Sequence, residues 1–223
     1  HPFSLANNPE NDSEKMRNVL ITGATGFLGG AALSYILKEK SECQLLLLTR
    51  GESTKHAVMR VNENLRKFQL AETLINRISS DNILLGDLTA PDFFLEDCRL
   101  NAITDVINCA HITSSGNNPF IWTGYVAGML RFVDRMSQAP SLRHFLHIES
   151  AGLGVSASEC GLDNKPGFSN YENAIAQCSW ANSLIEQRII ECYPELPLMR
   201  IVPSTGIEQT ELGNSICRHL NLP

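Results

Sequence analysis

The sequence predicts an α/β fold built on a doubly wound parallel sheet, and three observations predict it. Short apolar runs alternate with helix-length stretches from Asn18 onward. Those runs lack the polar–apolar alternation of a half-exposed strand, as strands covered on both faces do. The first run leads directly into a glycine-rich turn and then a helix-length segment.

The elements follow in order. Residues 19–22 (VLIT) form a strand, 31–40 (AALSYILKEK) a helix, and 43–49 (CQLLLLT) a second, fully buried strand. An amphipathic stretch over 56–68 reads as a helix, and further strands are expected at 83–85, 105–109 and 143–148. A helical segment (122–138) separates the last two strands. A Gly/Ser-rich loop follows Ser150, then a helix over about 174–192 and a short strand over 198–203. This βαβ rhythm places ligands at the carboxyl ends of the strands.

Composition narrows the function classes. At 223 residues the chain accommodates one sizeable α/β core. A net charge of −6 with no Lys/Arg-rich run argues against nucleic acid or an anionic membrane as the main partner. Apolar runs such as Leu45 to Leu48 are far below the roughly 20 residues of a membrane span. Seven scattered cysteines without a C-x-x-C pair suggest neither a disulfide framework nor a metal site, and imply a reducing cytoplasm. Residues 1–17 are polar and Asn-rich, so they read as a linker or tag-like segment; 18–213 reads as the folded domain.

The turn TGATGFLGG carries G-x-x-G-x-x-G at Gly23, Gly26 and Gly29, between a strand and a helix. Such a Rossmann-type turn lets backbone approach a pyrophosphate, and the helix N-terminus favours the anion. Thr25, Phe27 and Leu28 complete the candidate cradle. Arg50 follows the second strand, where an acidic residue would hold the ribose 2′-OH of NAD; a guanidinium there suits a 2′-phosphate. Arg60 lies ten positions on and could join it, the alternative being two solvated arginines. After the third strand, Asp87 of Gly86-Asp87-Leu88 could accept from an adenine amino group or simply cap a turn.

Together, TGATGFLGG, LLTRG with its later A-x-x-R (Ala57 to Arg60), GDL at Gly86 to Leu88 and VINCAHITS at Val106 to Ser114 resemble extended short-chain dehydrogenases/reductases. More narrowly the chain resembles thioester reductase domains, which end nonribosomal peptide and polyketide synthases and occur in carboxylic acid and fatty acyl-CoA reductases. The resemblance covers 18 to about 213 and implies an NADP(H) site that includes Leu88 and Ala110. It also implies a thioester-bound substrate on an acyl or peptidyl carrier domain. A working member reduces that thioester, using a Ser/Thr and a Tyr at the carbonyl oxygen and a Lys four residues after the Tyr.

The chain departs from that pattern. Ser150-Ala151 align with the family's Ser-Thr pair, placing Ala151 at the catalytic position. In 174–180 (AIAQCSW), Ile175 stands at the Tyr and Ser179 at the Lys; a rival register uses Tyr171 but puts Ile175 at the Lys. Ile has no proton to give, and a phenol without an ammonium beside it is a poor acid at neutral pH. Ser150, Tyr171, Glu149 and His111 are weak substitutes, and Cys178 reads as a packing residue.

These readings favour non-reducing release of a carrier-bound chain, such as Dieckmann-type cyclisation. The alternatives are an active reductase with displaced catalytic residues and a non-catalytic nucleotide- or carrier-binding domain. NADP(H) is the expected cofactor, with retained and vestigial binding both open. Residues 214–223 are expected to begin a truncated substrate region, because family members carry a further helical part there.

Overall fold

A computed structural model of the chain describes residues 16–39, 42–111, 121–148, 171–201 and 209–220. Within its helices, the side chains of 121–123, 171–180, 209, 210, 212, 217 and 219 lie outside the description.

Six strands form one sheet: β1 (Arg17–Thr22), β2 (Cys43–Thr49), β3 (Ile83–Leu85), β4 (Asp105–Asn108), β5 (His144–Ile148) and β6 (Leu198–Ile201). Every pairing is parallel and the order is β3-β2-β1-β4-β5-β6. That order reverses between β1 and β4, which opens a crevice at their carboxyl ends. β1 begins one residue before the expected linker boundary, because Arg17 pairs in register with Cys43.

Helices cover both faces. α1 (Phe27–Lys38), α2 (Thr54–Lys67) and α7 (Gln209–Leu220) pack on one side, where Ile21, Leu47, Ile107 and Leu146 meet Leu33, Leu65 and Ile216. On the other, α5 (Ala127–Ser137) and α6 (Tyr171–Cys192) cover Leu20, Leu46, Val106 and Phe145 with Met129, Phe132 and Ile185. Neighbouring residues of one strand therefore enter opposite cores, which explains the unbroken apolar runs. Short helices α3 (Glu72–Ile75) and α4 (Asp92–Leu95) fill connections around β3.

Several element ends differ from expectation. α1 starts at Phe27, inside the glycine motif, and α2 starts at Thr54 because Ser53 caps it by accepting from the His56 N–H at 3.1 Å. β4 stops at Asn108, β5 starts at His144, and α6 starts at Tyr171. A π-helical segment, Ile121–Val126, leads into α5. Position 213 falls within α7, which packs on α1: Tyr35 Oη donates to Asn214 Oδ1 at 2.5 Å, and Ile216 and Leu220 are core residues. Among the described residues no helix is long and apolar enough to cross a membrane.

The second core is centred on Phe132, fully buried with its ring 6.2 Å from Phe94 and 6.1 Å from Phe145. Phe132→Ala is expected to cost about 3–5 kcal/mol through lost burial and the cavity left behind. A denaturant titration should show a lower midpoint at unchanged slope; an unmoved midpoint would contradict this packing.

Candidate functional site

The glycine turn sits at the crevice. Gly23 has φ 73°, and a Cβ there would lie 2.9 Å from both atoms of the Cys109 carbonyl group, so the position needs glycine twice over. The Gly26 N–H closes the turn on the Gly23 carbonyl at 2.9 Å. A Cβ on Gly29 would lie 2.3 Å from that same carbonyl oxygen, so a side chain there would push α1 off the turn. The N-cap of α1 is Gly26, which supplies no side-chain cap, leaving the first-turn amides to a ligand. Thr25 and Leu28 are half-buried, and exposed Phe27 stands at the rim with its ring 5.9 Å from Phe68.

Arg50, Arg60 and Asp87 converge beside this turn. Arg50 directly follows β2, and its guanidinium lies 3.8 Å from Asp87 Oδ2. Arg60, from α2, donates to the Arg50 carbonyl. Asp87 Oδ1 accepts from the Thr89 N–H and hydroxyl, each at 2.9 Å, so half of this carboxylate holds its own turn. Leu88 turns its side chain into the core, leaving only its backbone for the crevice. Both backbone polar groups of Ala110 are engaged within the chain: its N–H donates to Thr22 Oγ1 at 3.1 Å and its carbonyl accepts from the Tyr125 hydroxyl at 2.8 Å.

A polar row runs beneath the crevice. Thr22 Oγ1 donates to Asn108 Oδ1 at 2.6 Å, and Asn108 Nδ2 donates to His147 Nδ1 at 2.9 Å. Thr22 Oγ1 also accepts from the Ala110 N–H at 3.1 Å, and with Asn108 donating to Nδ1 the other ring nitrogen of His147 is Nε2. That nitrogen is 3.5 Å from Glu186 Oε1 on α6, without hydrogen-bonding geometry among the described residues. The His111 ring stands 5.8 Å from the His147 ring, and its Nδ1–H donates to the Cys109 carbonyl at 3.0 Å. Burial, with His147 adding to it, depresses the His111 pKa to about 4, against weaker opposition from the Cys109 carbonyl and Glu186. Burial also raises the Cys109 thiol, which keeps it protonated and unreactive.

The family model described as the male sterility protein, an NAD-binding domain, matches residues 21–156, more than half of the chain. The chain belongs to this family. It is 26% identical over 167 residues to an isonitrile lipopeptide synthase of Mycobacterium tuberculosis, covering 69% of this chain and 6% of that protein. It is 37% identical over 81 residues to the nonribosomal peptide synthetase malG of Malbranchea aurantiaca, covering 36% of this chain and 3% of that one.

Among solved structures, the reductase domain of a nonribosomal peptide synthetase from Mycobacterium tuberculosis superposes with TM-score 0.61 at 20% identity, over 83% of this chain and 47% of that one. The terminal R domain of the myxalamid pathway gives 0.59 at 18%, over 83% and 48%. The chain thus spans about half the length of these domains, and they share its fold. The likeness to thioester reductase-like domains drawn from the motifs is the one these comparisons return.

Family membership directs attention to α6, which carries Tyr171, Ile175, Cys178 and Ser179, all with side chains outside the described set. Glu149, Ser150 and Ala151 lie outside the described residues altogether. What sequence reasoning missed is the row Thr22–Asn108–His147–Glu186. Its one visible signal was the second histidine of the run HFLHI, flanked by apolar residues, since the partners lie 39 to 86 positions apart.

His111 gives a testable pH dependence. Its folded pKa, about 4, lies below its ordinary unfolded value, so the unfolded chain binds the extra proton first. Stability attributable to His111 is therefore full above about pH 6.5, falls as pH drops by at most about 1.4 kcal/mol per unit, and levels off below about 4. Urea midpoints of the unaltered chain and His111→Gln should diverge in that sense between pH 7 and 4.5; parallel curves would refute the assignment.

Proposed function

We propose that the chain is the nucleotide-holding part of a thioester reductase-like domain that releases a carrier-bound acyl chain without hydride transfer. The observation that carries this reading is a juxtaposition. The glycine cradle is sterically complete, while α6 reads YENAIAQCSWANSLIEQRIIEC and contains no lysine. With Ile175 and Ser179 at the family's Tyr and Lys positions, no phenol–ammonium pair is available there to protonate a developing alkoxide. The named relatives support an assembly-line setting, in which the partner is an acyl or peptidyl carrier domain in the cytoplasm.

NADP(H) is the cofactor the site suits. The loop amides and the α1 N-terminus fit the pyrophosphate, and Arg50 with Arg60 fits a 2′-phosphate. When bound, the nicotinamide supplies hydride to a carbonyl; in this reading it is a retained structural ligand. Release is then a Dieckmann-type step. A solvent base takes a proton from an α-carbon of the acyl chain, the resulting carbanion forms a C–C bond with the thioester carbonyl carbon, the C–S bond breaks, and the carrier thiolate takes up the proton that the base carries. Bringing both reacting carbons together supplies much of the rate. His111, held neutral by burial, serves this step as a hydrogen-bond acceptor rather than as a proton store.

The test has two arms. Calorimetric titration should show NADP+ binding more tightly than NAD+, with Arg50→Ala abolishing most of that preference. A carrier-bound acyl thioester incubated with the chain and NADPH should give no loss of nicotinamide absorbance. Oxidation of NADPH in step with aldehyde or alcohol formation would establish the reductase instead, and equal affinity for the two nucleotides would remove Arg50 from the site.

A further inference from the structure

The glycine turn is also bonded by a residue on neither the turn nor its helix. Asn64, on the inner face of α2 and 6% exposed, sends both amide hydrogens into the loop: Nδ2 donates to the Ala24 carbonyl at 3.0 Å and to the Gly26 carbonyl at 2.9 Å. These bonds span 40 and 38 residues of sequence. The approach is possible only because Gly30 has no side chain, since a Cβ there would sit 2.4 Å from Asn64 Nδ2 and 2.5 Å from the Phe68 ring. A buried amide with both hydrogens committed to one loop is a fixed clamp, because releasing it would strand a donor away from water.

Peptide geometry gives the clamp a consequence. In a planar trans peptide the carbonyl and the following N–H point in opposite directions, and the described backbone contains no cis bond. Asn64 holds the Ala24 carbonyl toward α2 and shares the Gly26 carbonyl with the Gly30 N–H of α1, which binds it at 3.0 Å, so the Thr25 and Phe27 amides turn the opposite way, out of the N-terminal end of α1. Those are two donors that a pyrophosphate at this turn would use. We propose that Asn64 is a positioning residue for dinucleotide binding, setting the direction of the Thr25 and Phe27 N–H groups without touching the ligand. This rests on the nucleotide-binding reading above.

Binding to the full chain tests it with two probes. NADP+ carries the pyrophosphate; adenosine 2′-monophosphate keeps the adenine and the 2′-phosphate but lacks it. Asn64→Leu removes both donors and should weaken NADP+ about 10- to 100-fold, while affinity for adenosine 2′-monophosphate stays within about twofold. A merely structural role would weaken both probes alike, and that result, or unchanged NADP+ binding, overturns the assignment. Should Asn64→Leu fail to fold, Asn64→Ser, which keeps one donor, must show the same selective loss at smaller size, and a parallel loss overturns the proposal. Failure of the unaltered chain to bind NADP+ overturns the nucleotide reading itself and this assignment with it.

Discussion

Three backbone segments meet at the carboxyl end of β1 with no room for a side chain between them. The turn at Gly23 packs on the Cys109 carbonyl group, and the first turn of α1 at Gly29 packs on Gly23. The ladder sets the spacing of β1 from β4, and the exit of α1 beside the crevice follows from this contact. A Cβ at Gly29 meets backbone atoms, which cannot rotate out of the way as a side chain can. The constraint thus belongs to folding and to the site at once.

The two ends of the sheet are built differently. At the amino end, fully buried Asp105 accepts from Arg17 at 3.0 Å and Thr104 at 2.6 Å, lies 2.7 Å from His144 Nδ1, and Arg17 also donates to the Leu220 carbonyl. That cluster ties β1, β4, β5 and α7 into one register. An ion pair so placed need not add net stability over an apolar substitute, but removing one partner would leave a buried charge exposed to no solvent. At the carboxyl end, the row from Thr22 to His147 stops at imidazole nitrogens without hydrogen-bonding partners among the described residues.

The sequence made some of this legible and hid the rest for identifiable reasons. Strands β2 and β3 appeared at their full lengths, because residues entering both cores leave apolar runs, although β2 is not fully buried as expected: Gln44 is exposed and burial begins at Leu46. The start of α1 was obscured because its first turn, Phe27 to Gly30, lies inside the motif and ends in two glycines, which are poor helix formers. Arg17 looked like linker because its reason for being in a strand is Asp105, 88 positions away. Asn64 was invisible for the same reason: a polar residue in an amphipathic helix reads as solvated until the fold brings the Ala24 carbonyl against it. Leu88 and Asp87 illustrate the converse. The motif placed them correctly after β3, but only the fold shows Leu88 turned into the core and Asp87 bonded to its own turn.

The cradle and the acid–base machinery differ in how tightly folding constrains them. Gly23 and Gly29 are held by close backbone contacts, so a chain that no longer used the nucleotide would still need them to keep β1, α1 and β4 together. A catalytic phenol or ammonium on α6 has no such protection, since one substitution can remove it and leave the helix standing. Reductive chemistry can therefore disappear from this fold while the cradle survives in full. By the same logic the telling residue for ligand binding is Arg50. Its side chain is 68% exposed and, among the described residues, makes an ion pair at 3.8 Å, an interaction of the kind that contributes little to folding. Packing does not require an arginine at that place, which is why the proposed 2′-phosphate contact is tested there.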